Sequence, residues 1–92
     1  MRLNTWINSL YGYDDNQLYS LSMRLVLDYM NREDQNSYFY PANYHKGLYW
    51  LAKRYRIAYR DLVKQLDALE KYQFISIKTI GKMKYVELLS KD

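Results

Sequence analysis

The sequence contains no cysteine, which excludes a disulfide framework and a zinc site built on thiolates. That absence suits a reducing compartment. No apolar run approaches the roughly 20 residues that span a bilayer, and the N-terminus lacks the apolar segment of a signal peptide. We therefore expect a soluble, cytoplasmic protein that does not associate with membranes.

Histidine is almost as scarce, because His45 is the only one. A lone histidine lies more often at the surface or in packing than in a metal or acid–base site. The adjacent pairs Asp14–Asp15 and Glu33–Asp34 point in different directions and indicate solvated turns. The P-loop, the dinucleotide-binding glycine pattern and the nucleophile elbow are all absent. We therefore predict a protein that is not an enzyme and has no metal, cofactor or small-molecule ligand.

What the sequence does contain is an uneven distribution of charge. The 92 residues are 49% hydrophobic and 26% charged, which is typical of one folded domain. Residues 1–43 carry a net charge of −2 and residues 44–92 a net charge of +6, for a total of +4. This asymmetry favours a polyanionic partner, with a merely solvated basic surface as the alternative.

The N-terminal residues 1–16 are predicted to form an arm or a short helix in front of a domain over residues 17–90. Their apolar side chains include Trp6, Leu10 and Tyr11. These side chains suit either of two roles, packing on the domain or pairing with a second subunit.

The first firm helix is predicted over roughly residues 18–31, where apolar residues recur every three or four positions. Asp14 or Asp15 is its candidate N-cap, in a turn over residues 12–16, and Ser20 and Ser22 are rival caps. An aromatic run over residues 38–40 follows. It is predicted to be a brief edge strand, because Pro41 cannot donate a ladder hydrogen bond.

A second helix is predicted over residues 44–55, with Asn43 as its cap and Gly47 as a weak point within it. After a tight turn, a third helix is predicted from Ala58 or Tyr59 to Tyr72. Its leucines at positions 62, 66 and 69 recur at spacings of four and three, so they are expected to face the core. Strands over residues 75–79 and 83–88, on either side of Gly81, are predicted to complete a hairpin.

Over roughly residues 18–88, the sequence resembles the winged helix-turn-helix superfamily of prokaryotic, phage and plasmid DNA-binding proteins. The resemblance is carried by Leu51-Ala52, Ile57-Ala58, Leu62, Leu66, Leu69 and Phe74-Ile75. It departs at Arg56 and Gln73, where the family commonly has glycine, and at Ala58, which replaces a common serine cap. The resemblance implies an α+β fold, with a three-helix core, a C-terminal β-hairpin wing and a short extra strand.

A winged helix-turn-helix places its last helix in the major groove of DNA, where side chains at the N-terminal half of that helix meet base edges. Arg60, Lys64 and Gln65 carry suitable donors, and Tyr59 suits a phosphate or a thymine methyl group. Cations before this helix and around the hairpin tip are predicted to contact the backbone or the minor groove. They are Lys53, Arg54, Arg56, Lys78, Lys82 and Lys84. Asp61, Asp67 and Glu70 count against this interpretation, because carboxylates repel phosphate.

The sequence therefore predicts a sequence-specific protein that binds double-stranded DNA, in the manner of a small transcriptional repressor. A homodimer is expected because one helix contacts only a few base pairs, and Trp6, Leu10 and Tyr11 are its predicted interface. One alternative is a DNA-binding factor in plasmid or phage replication or partition, since Tyr40-Pro41 is similar to domains of such proteins. Another is a protein-binding winged helix that inhibits or adapts a host machine.

Overall fold

Four α-helices and a three-stranded antiparallel sheet form an α+β fold in the part of the chain that the structure describes. This computed structural model describes residues 2–12, 18–34, 36–41 and 43–92, apart from the side chains of Leu18, Tyr19 and His45. The predicted caps Asp14 and Asp15 and the predicted turn around them lie outside this range. The elements are α1 Leu3–Leu10, α2 Leu18–Met30, β1 Tyr38–Phe39, α3 Leu48–Tyr55, α4 Tyr59–Lys71, β2 Ile75–Ile80 and β3 Met83–Leu88.

The sheet has the order β1–β3–β2, so the short strand lies at one edge. Phe39 of β1 and Ile77 of β2 both pair with Val86 of β3. Phe39 and Val86 are buried, and Pro41 follows the short strand at once. The predicted extra edge strand and the predicted hairpin are therefore confirmed. Among the described helices, none has the length and apolar character needed to cross a bilayer.

The predicted second helix is interrupted at Gly47. A short 3₁₀ helix covers Tyr44–Lys46, and α3 begins only at Leu48. Gly47 has φ 114°, a conformation that glycine adopts far more readily than other residues and that no α-helix contains. Asn43 has a left-handed backbone and makes no capping hydrogen bond through its side chain. The predictions of one continuous helix over residues 44–55 and of an Asn43 cap were therefore wrong.

Both α3 and α4 end in the same hydrogen-bonded motif. Arg56 and Gln73 follow the two helices with φ 57° and 61°. The amide of Ile57 donates to the carbonyl of Ala52 at 3.1 Å, and the amide of Phe74 donates to the carbonyl of Leu69 at 2.8 Å. These six-to-one bonds define Schellman motifs, whose left-handed residue is usually glycine. The two positions at which the resemblance led us to expect glycine therefore do adopt the backbone that glycine favours.

We predict that Gln73→Gly stabilises the protein. A left-handed backbone costs a non-glycine residue about 1–2 kcal/mol, whereas glycine's freedom in the unfolded chain offsets about 0.4–1 kcal/mol of that gain. Because Gln73 is exposed, the free energy of unfolding in urea should rise by up to about 1 kcal/mol. The matched control Lys64→Gly changes an exposed residue inside α4 and should lower that free energy by about 1 kcal/mol. A loss of stability in both variants would contradict the prediction.

Helix α1 belongs to the same hydrophobic core as the later elements. Trp6 and Leu10 are fully buried. The Nε1–H of Trp6 donates to the carbonyl of Phe74 at 3.0 Å, and the two rings meet edge to face with centroids 5.6 Å apart. The prediction that Trp6 and Leu10 form a subunit interface is therefore corrected, because their own chain covers them. Tyr11, at the end of α1, is 67% exposed.

Two side-chain contacts tie the remaining elements together. The hydroxyl of Tyr55 in α3 donates to the carboxylate of Asp28 in α2. Burial, reinforced by that bond, raises the pKa of Tyr55. On the sheet, the hydroxyls of Ser37 and Ser76 donate to Glu87 at 2.6 and 3.1 Å. The bond from Ser37, with a smaller contribution from Ser76, holds the pKa of Glu87 below its usual value.

Candidate nucleic-acid interface

Helix α4 presents two opposite faces. Leu62, Leu66 and Leu69 are buried, as their spacing predicted. The opposite side carries an exposed row at spacings of four, three and four, which we call the α4 stripe. Its members are Arg60, Lys64, Asp67 and Lys71. The stripe therefore offers three cations and one carboxylate to a partner.

Gln65 does not belong to that stripe. It is only 3% exposed, and its Oε1 accepts from the amide of Leu21 at 2.9 Å and from the hydroxyl of Ser20 at 3.2 Å. Gln65 is therefore hydrogen-bonded to the N-terminal part of α2 (Leu18–Met30) and does not face solvent. The prediction that Gln65 reads a base was therefore wrong. Its spacing from Leu62 and Leu69, three and four residues, was the signal that placed it inward.

We predict that Gln65→Leu destabilises the protein. The variant replaces the polar side chain with an apolar one of similar size, so the amide of Leu21 loses the side-chain acceptor that it has in the parent protein, at a cost of about 1–3 kcal/mol. Urea unfolding should show this loss. The control Lys64→Leu changes an exposed neighbour and should stay within about 0.5 kcal/mol of the parent. Equal stability of Gln65→Leu and the parent protein would show that these hydrogen bonds contribute little.

Several residues predicted to contact the DNA backbone lie around the end of α3 and the start of α4. Lys53 and Arg54 occupy the last turn of α3, and Arg56 occupies the turn that follows. All three side chains are exposed. Tyr59, the first residue of α4, is exposed as well. The structure therefore brings these four residues to the same end of the helix pair as Arg60.

The β2–β3 hairpin carries three exposed lysines, as predicted. Lys82 lies in the turn beside Gly81, whose φ is 61°. The ammonium of Lys78 lies 4.9 Å from the centroid of the Tyr38 ring in β1. Lys84 is different, because it lines a cleft between the hairpin and α4. All three lysines are therefore exposed to solvent, and Lys84 alone among them lines that cleft.

The cleft between α4 and the hairpin has a volume of about 310 Å³ and contains acidic groups. Asp67 and Glu70 line it opposite Lys84. Burial, with a smaller contribution from Glu70, raises the pKa of Tyr44 on the same wall. Phosphate is repelled by such a wall, so an anionic partner is directed to the N-terminal half of α4 and to the hairpin tip.

A second exposed group on α3 was not among the predicted site residues. Tyr49 and Trp50 are 54% and 44% exposed, and their ring centroids lie 5.7 Å apart. The ammonium of Lys53 lies 5.2 and 5.4 Å from the two ring centroids, and that of Lys46 lies 5.7 Å from Trp50. We call Lys46, Tyr49, Trp50 and Lys53 the α3 platform. The sequence contains a signal for this group, because positions 49, 50 and 53 lie on the side of a helix opposite the apolar positions 48, 51, 52 and 55.

Over the described residues, no three His, Asp or Glu side chains converge as a metal site would require. Comparisons with protein-family models, with curated proteins and with solved structures found no match for this chain. What can be said of the protein's class therefore comes from its structure, which is that of a small α+β protein whose helix pair and hairpin expose cations beside an acidic cleft.

Proposed function

We propose that the protein is a winged helix-turn-helix factor that binds double-stranded DNA in a sequence-specific manner. In this proposal α3 and α4 are the helix pair, α4 is the recognition helix, and the β2–β3 hairpin is the wing. The order of the elements and the pairing of the short strand with the hairpin support the assignment. A small transcriptional regulator is the role that this architecture suits best.

The α4 stripe is the observation that carries the proposal. Arg60 and Lys64 lie in the N-terminal half of α4 and are exposed. In a major-groove complex that half reaches base edges, where an arginine grips guanine through two hydrogen bonds. Because Gln65 is hydrogen-bonded to α2, the proposed base contacts are made by Arg60, Lys64 and Tyr59. Lys53, Arg54 and Arg56 are then placed at the phosphates beside them.

The test compares two single substitutions on a set of duplexes. Arg60→Ala removes a base contact, so it should cost ~1–3 kcal/mol on preferred sequences and relax the preference. Lys82→Ala removes a contact to the backbone, so it should weaken binding to all duplexes alike. Preferred sequences are obtained by selection from random duplexes, and affinities are measured by fluorescence anisotropy.

The matched control is Arg2→Ala, which removes the same charge from an exposed position beside α1. It should leave both affinity and preference nearly unchanged. If Arg60→Ala and Lys82→Ala weaken every duplex by the same factor, α4 does not read bases. Footprinting on the DNA that flanks the gene then separates a regulator from a replication or partition factor, because the two roles place their sites at promoters or at origins.

A protein-binding winged helix is the alternative, and one feature favours it. Met23, Leu27 and Met30 are exposed along one side of α2, at spacings of four and three. Apolar side chains in such a row are typical of a surface that contacts protein. Absence of duplex binding at roughly 50 mM salt would favour this alternative over DNA binding.

The homodimer also remains a proposal. Of its predicted interface residues, Tyr11 alone is exposed. Sedimentation at micromolar concentration, with and without duplex, tests association directly. A monomer under both conditions would exclude the dimer.

A further inference from the structure

The α3 platform lies in a part of the chain from which acidic residues are missing. Between Asp34 and Asp61 the sequence contains no aspartate or glutamate, but it contains Lys46, Lys53 and three arginines. An exposed tryptophan and tyrosine there have cations but no carboxylate among their neighbours in sequence. The positive charge of the platform therefore favours a negatively charged ligand, and its exposed rings favour a ligand with flat apolar groups.

Unpaired nucleotides combine these two properties. Each base has a π-face that stacks on an aromatic ring, and each phosphate attracts a nearby ammonium. In a duplex the base faces are covered by neighbouring base pairs, so a duplex presents only edges and phosphates. The exposed rings of Tyr49 and Trp50 suit base faces and have no counterpart on an intact duplex.

We propose that the α3 platform binds single-stranded nucleic acid, with Tyr49 and Trp50 stacking on unpaired bases and Lys46 and Lys53 pairing with phosphates. The interplanar angle of the two rings is 81°. Because the two rings are nearly perpendicular, one base cannot stack on both, and each ring takes a base of its own. This site shares Lys53 with the proposed duplex surface, but its two rings lie outside α4, and neither proposal depends on the other.

The lysines already contact the rings, and this arrangement is compatible with binding. Lys53 lies within 5.4 Å of both ring centroids, and its side chain is exposed. A cation over an exposed ring gains only a modest free energy. An incoming base therefore displaces the ammonium groups from the ring faces, and the phosphates that accompany the base provide new partners for them.

The two tryptophans make the test specific. Trp6 is fully buried, whereas Trp50 is 44% exposed. Titration with the oligonucleotide (dT)12 should quench the fluorescence of Trp50 and leave that of Trp6 unchanged. Titration with (rU)12 in parallel shows whether the sugar matters, and a duplex of equal length should quench far less. Absence of quenching by both single strands would overturn the proposal.

Substitutions measure the stacking itself. Trp50→Leu keeps apolar area but removes the π-face, so the affinity for labelled (dT)12 in anisotropy should fall roughly 5- to 150-fold. Trp50→Phe should retain most of the affinity. Tyr49→Leu, whose binding is still followed by Trp50 fluorescence, should weaken it in the same direction. Unchanged affinity in Trp50→Leu and Tyr49→Leu would also overturn the proposal.

The two proposals fail separately. Arg60→Ala should leave (dT)12 binding intact, and Trp50→Leu should leave duplex preference intact. If the protein binds duplexes selectively but does not bind (dT)12, the platform is refuted and the duplex surface stands. If it binds (dT)12 but no duplex selectively, the duplex surface is refuted and the platform stands.

Discussion

Trp6→Ala is expected to lower the free energy of unfolding by about 3–5 kcal/mol, the range typical of a truncated tryptophan in a core. Trp6 is fully buried, packs edge to face on Phe74 and donates a hydrogen bond to the carbonyl of the same residue. Truncation therefore leaves a cavity and also removes a buried donor from that carbonyl. Since a domain of this size is stabilised by only about 5–15 kcal/mol, much of the population should unfold under mild conditions.

Urea denaturation measures this loss of stability. One further variant separates the contribution of the hydrogen bond from that of ring packing, and a second is a control on the same helix. Trp6→Phe keeps a ring against Phe74 but lacks the Nε1–H, so it should recover most of the loss and remain about 1 kcal/mol below the parent. Tyr11→Ala changes the exposed end of the same helix and should stay within about 0.5 kcal/mol. A loss of less than roughly 1 kcal/mol for Trp6→Ala would mean that α1 is not an integral part of the core.

Duplex binding is expected to weaken steeply as salt rises. Five exposed cations are placed at phosphates in the proposed complex: Lys53, Arg54, Arg56, Lys78 and Lys82. Neutralising about five phosphates gives a log–log slope near −4 to −5, because the condensed counterions are released. The affinity should therefore fall roughly 250- to 1000-fold between about 50 and 200 mM salt.

Anisotropy titrations of one duplex at four or five salt concentrations give the slope. Lys82→Ala should make it shallower by about 1, since one phosphate contact is lost. Arg2→Ala, whose charge lies beside α1, should leave the slope unchanged. A slope near zero, or no binding at roughly 50 mM salt, would falsify the phosphate assignments.

Local patterns were enough to predict the helices and strands that depend on neighbouring residues. The leucine spacing predicted α4, and alternating β-branched and polar residues predicted the hairpin. The long apolar periodicity predicted α2 to within a residue at its end. These predictions succeeded because the pattern repeats within a few residues, and the hydrophobic effect acts on every repeat.

The incorrect predictions concern residues whose partners are distant in sequence. Gln65 and the amide of Leu21 are 44 residues apart, and Trp6 and the carbonyl of Phe74 are 68 apart. A glutamine on a basic helix and a tryptophan near a terminus look available until those partners are known. The break at Gly47 was predicted only in part. The sequence indicated that this glycine weakens the helix, but it did not indicate the backbone conformation that interrupts the helix.

The sequence by itself determined which side of α4 turns outward and where positive charge accumulates, because both follow from residue spacing and composition. Only the tertiary structure decided that Gln65 bonds to α2, that Trp6 is buried in the core, and that Tyr49 and Trp50 share one exposed surface with two lysines. The reason is that burial and hydrogen bonding depend on which elements meet in space, and no local pattern records that meeting.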